Sequence, residues 1–250
     1  MAGRPLILTI ETATGCGSVS LTRGGVEGGR LLAEATAQPE ITHSRRLLGS
    51  VDWIMKGAGV EWADVDGVAV SLGPGSFTGL RIGMAAAKGI VFSAGVPLLG
   101  VQTLDAISLS CPIINRPLWC LLDARKQEIF AACYQPDNNG RPERITPAEA
   151  IRPEMLVDRI QEPVILAGPG VDEYYDLFSS IESVQLIPAA LSSPRAARVG
   201  FLAAEQIAAG QTMDPATAAP LYVRASEAEI NLVKSKKGKG KREKFAGRQN

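Results

Sequence analysis

A chain of 250 residues, 46% hydrophobic and 21% charged, is long enough for one large or two small domains and has an ordinary globular composition. Its formal charge of zero hides two unlike parts: of 26 basic and 26 acidic residues, residues 234–250 hold eight and one, leaving 18 and 25 for the rest. Four scattered cysteines without a CxxC pair exclude a zinc cluster and a redox pair, and no apolar run approaches the length of a membrane-spanning helix. The opening MAGRPLILTIETAT is interrupted by Glu11 and shows no cleavage pattern, so a cytoplasmic protein with reduced thiols is expected.

In chain order, Leu6 to Ile10 is an apolar run that suits a buried strand, followed by a polar turn from Glu11 to Gly15. Cys16 to Thr22 returns as a second strand, Gly24 to Gly29 connects, and Leu31 to Ala37 makes a third. Three antiparallel strands ahead of any helix differ from a dinucleotide-binding fold, whose first strand passes directly into a helix. Thr42 is placed to cap a helix reaching about Lys56, with Leu47, Leu48, Val51, Ile54 and Met55 at helical spacing. His43 is the one histidine; it falls in the first turn of that helix, where a surface or contact role fits and no second zinc ligand stands near.

Val65 to Ser71 reads as a strand, Gly73-Pro74-Gly75-Ser76 as a tight turn, and Phe77 or Thr78 to about Ser93 as a helix stopped by Gly95. Free N–H groups at such a turn and helix start suit an anion. No Lys-Ser or Lys-Thr follows, however, and Gly73-x-Gly75-x-x-x-Gly79 is not the dinucleotide spacing, so a plain turn without a ligand stands equally. From Ile82 to Phe92 only Lys88 is charged, and Gly83, Ala86 and Gly89 are small at i, i+3 and i+6. A helix with so little polar face is either buried in its own domain or covered by another chain. In the second case, Gly83→Arg or Ala86→Glu should weaken partner binding and leave the monomer folded.

Val96 to Val101 is a further strand, and Thr103 and Asp105 open a helix ending near Cys111-Pro112. A second unit begins near Pro117 with strands Leu118 to Leu122 and Ile129 to Tyr134 and a turn at Asn138-Asn139-Gly140. Thr146 to Glu149 has the form of a capping box, and a helix is expected from about Arg152 through Ile160. Pro163 to Ala167 is a strand that Gly168-Pro169-Gly170 turns into a helix, Val171 to Phe178, repeating the earlier strand–turn–helix; Val184 to Ile187 is a last short strand. Ser193-Pro194 starts a helix from Arg195 to Ala209, closed by Gly210. Leu221 to Arg224 is an extended piece that packs back. The fold class is α/β with two related subdomains, each a mixed sheet with flanking helices. Residues 1–112 form the first, onto which helix 194–210 packs back. Residues 113–193 form the second, 211–233 an extended segment, and 234–250 a disordered basic tail that either solubilises or touches nucleic acid.

No nucleophile and base are paired in sequence. Glu11 and Asp123 each follow a strand and would face a cleft, where two carboxylates can hold Mg²⁺ with a phosphate. The alternative is that Glu11 caps its turn and Asp123 pairs with Arg125 or Arg81.

The stretches ILTIETATGCGSVSL, THSRRLL, SLGPGSFTGLRIGMAAAKGI, LDARKQEIFAACY and LYVRASEAE together resemble the TsaB family, covering about residues 5–229. That family supplies the non-catalytic, glycoprotease-like subunit of the bacterial tRNA threonylcarbamoyladenosine machinery. The resemblance implies the actin-like, sugar-kinase-like ATPase superfamily fold. It implies a scaffold or activator, itself without catalytic residues, that binds the catalytic paralogue TsaD and is joined by the small ATPase TsaE. The complex moves a threonylcarbamoyl group onto N6 of the adenosine beside the anticodon of tRNA. A homodimer forms when the paralogue is absent. No cofactor or metal is implied for this chain; ATP and Mg²⁺ belong to the assembled complex. The family docks through its first two helices, here His43 to Met55 and Thr78 to Val91. The interface residues so implied are His43, Arg46, Leu47, Ser50, Ile54, Leu80, Gly83, Met84, Ala86, Ala87 and Ile90. A vestigial phosphate site would comprise Glu11, Thr12, Gly73, Gly75, Ser76, Thr78 and Asp123. The family's usual Asp is Glu11 here, which weakens nucleotide hydrolysis as a role. A stand-alone ATPase or small-molecule kinase of the same fold is the competing reading; a peptidase lacks a histidine pair or a triad.

Overall fold

The computed structural model describes residues 3–37 and 44–224, the side chains of 44–46 excepted. The first lobe is built on a five-stranded mixed sheet. Strands β1 (Leu6–Glu11), β2 (Gly17–Arg23) and β3 (Arg30–Ala37) form an antiparallel meander. Helix α1 (Ser44–Ala58) leads to β4 (Gly67–Gly73), then α2 (Phe77–Ala94) to β5 (Leu98–Gln102), both strands parallel to β1. The strand order is β3-β2-β1-β4-β5. Helix α3 (Thr103–Ser108) then crosses to the second lobe.

There β6 (Leu118–Arg125) and β7 (Glu128–Pro136) form a hairpin, extended by β8 (Pro142–Arg144) and, beside β7, by β9 (Glu149–Ile151). After α4 (Pro153–Val157), strand β10 (Val164–Ala167) joins β6 in parallel. Short helices α5 (Gly170–Glu173) and α6 (Tyr175–Ser179) follow, then β11 (Val184–Leu186) and α7 (Ala189–Ser192). The order is β11-β10-β6-β7-β8. Helix α8 (Ala196–Ala208) returns to the first lobe. Two mixed sheets with flanking helices are the architecture that the resemblance implies.

Strand alternation decides which layer each residue joins. In the first sheet Leu8, Ile10, Val19, Leu21, Val68 and Val70 pack under α1 and α2. Ile7, Ala69, Leu99 and Val101 face the other way, against Ala106 of α3 and Val199, Ala203 and Ala204 of α8. In the second sheet Leu118, Cys120 and Leu122 share a core with Leu104 and Ile107 of α3, while Trp119 and Leu121 pack with Leu156 and Phe178. Helix α3 therefore donates side chains to both lobes.

Local signals set the long helices. Ser76 Oγ accepts the Gly79 N–H at 3.2 Å and caps α2, and Gly95 ends it at φ 69°. The elements after β5 depart from expectation in four places. Thr146 caps no helix: its hydroxyl accepts the Cys133 N–H at 2.8 Å, and Glu149 opens β9. The expected helix over 171–178 breaks at Tyr174, whose φ of −121° leaves the helical region, so two short helices result. Helices α3 and α4 are also shorter than expected, ending at Ser108 and Val157.

Candidate functional site

The glycine turn after β4 is engaged by the chain itself. Ser76 N–H donates to Ala13 O at 2.6 Å, and Thr12 Oγ1 donates to Gly79 O at 2.8 Å. A Cβ on Gly75 would overlap the Ala13 carbonyl, and one on Gly83 would overlap Thr12 Oγ1. On the turn's other side, Leu221 O lies 2.8 Å from where a Gly73 Cβ would be. The glycines thus admit two neighbouring backbones, and two of the N–H groups at the turn and helix start, those of Ser76 and Gly79, are spent on protein oxygens. Ser76 and Thr78 are exposed, whereas Glu11 and Thr12 are buried beneath the turn.

Glu11 ends β1 with no solvent exposure. Its Oε1 accepts the Ala13 N–H at 2.6 Å, closing the polar turn. Its Oε2 is buried without a hydrogen-bond partner. Burial pushes the carboxyl up to about 7, against smaller opposing pulls from the Ala13 N–H and the neighbouring Ser71 hydroxyl. Asp123, half-buried, accepts the Arg125 N–H at 2.8 Å and pairs with the Arg125 guanidinium at 3.3 Å. Each carboxylate is committed to its own turn. Among the described residues no group of three or more Asp, Glu, His or Cys could hold a metal ion.

The first two helices present a second surface. His43 lies outside the described residues, as does the Arg46 side chain. Leu47, Ile54, Leu80, Gly83, Met84 and Ala87 are buried against their own sheet and are not free to meet a partner. Ser50, Ala86 and Ile90 are half-buried at the helix flanks. Gly83→Arg would therefore strike Thr12 and disrupt the monomer, contrary to the expectation from sequence. The outward residues are others: Leu48 at 59% exposure, Trp53 at 65% and Phe92 at 92%, with Ala85 and Gly89 of α2 also exposed. Leu48, grouped with the core from spacing, points out instead. Helical spacing supplied the missed signal: at about 100° per residue Trp53 lies roughly opposite the stripe of Leu47, Val51, Ile54 and Met55, nearer Lys56.

A third feature lies where the lobes meet. A pocket of about 470 Å³ is lined by α3, α8 and the β7–β8 edge. Asp105 accepts the Tyr134 hydroxyl at 2.7 Å and pairs with Arg144 at 3.4 Å, while Arg144 also reaches Gln102. Arg141 pairs with Glu205 at 3.2 Å and Glu27 at 3.7 Å. Burial raises the Asp105 carboxyl, opposed by the Tyr134 and Arg144 contacts. Both guanidinium groups are already paired, so the pocket's polar lining ties the lobes together.

Comparison with known proteins adds to this geometry. Residues 31–232 match the family model described as TsaD, tRNA N6-adenosine threonylcarbamoyltransferase. The chain is 31% identical to the tRNA threonylcarbamoyladenosine biosynthesis protein TsaB of Escherichia coli, over 87% of this chain and 94% of that one. It is 25% identical to the Bacillus subtilis protein of the same description, over 92% and 99%. A crystal structure from Pseudomonas aeruginosa, described as similar to peptidase YEAZ, superposes with a TM-score of 0.74 at 27% identity, covering 88% of this chain and all of that one.

Proposed function

The chain belongs to the TsaB family, within the wider threonylcarbamoyltransferase family, and on that footing we propose that it is the non-catalytic partner of a catalytic paralogue in tRNA modification. The observation that carries this reading is the outward face of α1 and α2. Leu48, Trp53 and Phe92 are large apolar groups on helices whose other face already fills a core. Exposed aromatic residues are the usual anchors of a protein interface, and two such helix pairs pack well as a four-helix contact. The small residues Ala85 and Gly89 let a partner helix approach closely.

The same face would join two copies of the chain when the paralogue is absent. The small ATPase TsaE, and tRNA itself, engage the assembled complex, which supplies ATP and Mg²⁺; the basic residues of 234–250 add a salt-dependent contact to tRNA. The compartment is the cytoplasm. No helix among the described residues is long and apolar enough to cross a membrane. The interior use of the glycine turn and of Glu11 speaks against the kinase or ATPase alternative, because a phosphate held by the Ser76 N–H would have to displace the Ala13 carbonyl.

Light scattering on the chain mixed with its TsaD paralogue tests the proposal. A heterodimer is expected. Trp53→Glu and Phe92→Glu should each weaken it at least tenfold while leaving the melting temperature unchanged. Two normally folded variants that bind as tightly as wild type would remove this face from the interface. Rapid phosphate release from ATP by the lone chain would favour the kinase reading.

A further inference from the structure

Four residues near the end of the described chain link the two lobes. Leu221 N–H donates to Leu72 O at 2.7 Å, at the end of β4. The Tyr222 ring lies 5.1 Å from that of Phe77, in the first turn of α2, and its hydroxyl accepts the Arg81 Nε–H at 3.0 Å. The Arg81 guanidinium sits 3.8 Å above the Phe77 ring, completing a stacked group of three side chains. Val223 packs against the core between α3 and the second sheet. Arg224 then donates to Glu128 Oε2 at 2.6 Å and to Ala124 O at 3.2 Å, on the β6–β7 hairpin.

These contacts run from the first turn of α2 to the second sheet within four consecutive residues. Their two ends differ in kind. At α2 the hold is aromatic and partly exposed. At the hairpin it is a charge-assisted fork, with Arg224 and Glu128 both half-buried and so less screened than a surface pair.

We infer that residues 221–224 form a clasp through which the second lobe holds the start of α2 in its docking position. The inference rests on the reading of α2 as a docking helix. A partner seated along α2 meets a helix whose first turn is fixed from the far lobe, so releasing Arg224 loosens the docking surface without touching it. Binding and clasp closure then favour one another, as linkage requires.

Full-length Arg224→Ala and Glu128→Gln test this from the hairpin end, where neither residue lies on the outward face. Hydrogen exchange of the lone protein should rise at least fivefold at the amides of Leu80 to Met84 in both variants, and exchange in β1 should stay unchanged. Binding to the paralogue should weaken at least threefold. Unchanged exchange at these amides overturns the clasp, and so does raised exchange with wild-type affinity. If wild-type protein fails to bind the paralogue, the docking reading falls, and the clasp is judged by exchange alone: a rise supports it and no change overturns it.

Discussion

Glu11 shows how one buried group sets a pH dependence. Its folded-state pKa is near 7 against an ordinary 4.5, so between these values the folded chain keeps a proton that the unfolded chain has released. Stability is therefore highest on the acid side of this window and falls as pH rises through it, by roughly 3 kcal/mol in all. Glu11→Gln should abolish that slope and melt higher than wild type at pH 8, with little difference at pH 4. Thermal melts across pH 4–8 check the sign; a wild-type curve rising over this window would contradict it. Two glycines of α2 make a second contrast. Gly89→Ala meets open space in a helix interior and should stabilise by about 0.5–1 kcal/mol. Gly83→Ala drives a methyl into Thr12, which its bond to Gly79 O holds in place, and should cost about 1–3 kcal/mol. Urea midpoints read both.

At the scale of elements, the limits of α2 were legible because Ser76 and Gly95 act locally. Its inward face was not. Gly83, Ala85, Ala86, Ala87 and Gly89 give no hydropathy contrast around the helix, so the buried and open sides look alike in sequence. Thr146 was misread for a different reason. The run to Glu149 has capping-box form, but the open edge of β7 offers backbone pairing that a short helix does not match. Sequence leaves Glu11 and Asp123 open between their own turns and a cleft site; the folded turns decide it, by bringing the Ala13 and Arg125 N–H groups to them. The β6–β7 tip carries a feature with no sequence signal: Arg125, Lys126 and Gln127 all hold φ near +60°. Each non-glycine residue there costs about 1–2 kcal/mol. Gln127→Gly should recover about 1 kcal/mol, read as a higher urea midpoint with an unchanged slope.

At the scale of the molecule, the lobes are joined by α3, by the ion pairs of Arg141 and Arg144, and by residues 221–224. The Tyr134 hydroxyl anchors the second of these joints on Asp105. Tyr134→Phe leaves that carboxyl with Arg144 alone and should lower stability by about 1–2 kcal/mol. Helix α8 has a different bearing on the whole. Gly200 lies against Thr9 and Thr22, on the face of the first sheet laid down earliest in the chain. Gly200 cannot cover those hydroxyls until residue 200 has been made, which at ordinary elongation rates takes about 10–40 s after Thr9. The first lobe is thus begun early in synthesis and sealed late, by the last helix of the described chain.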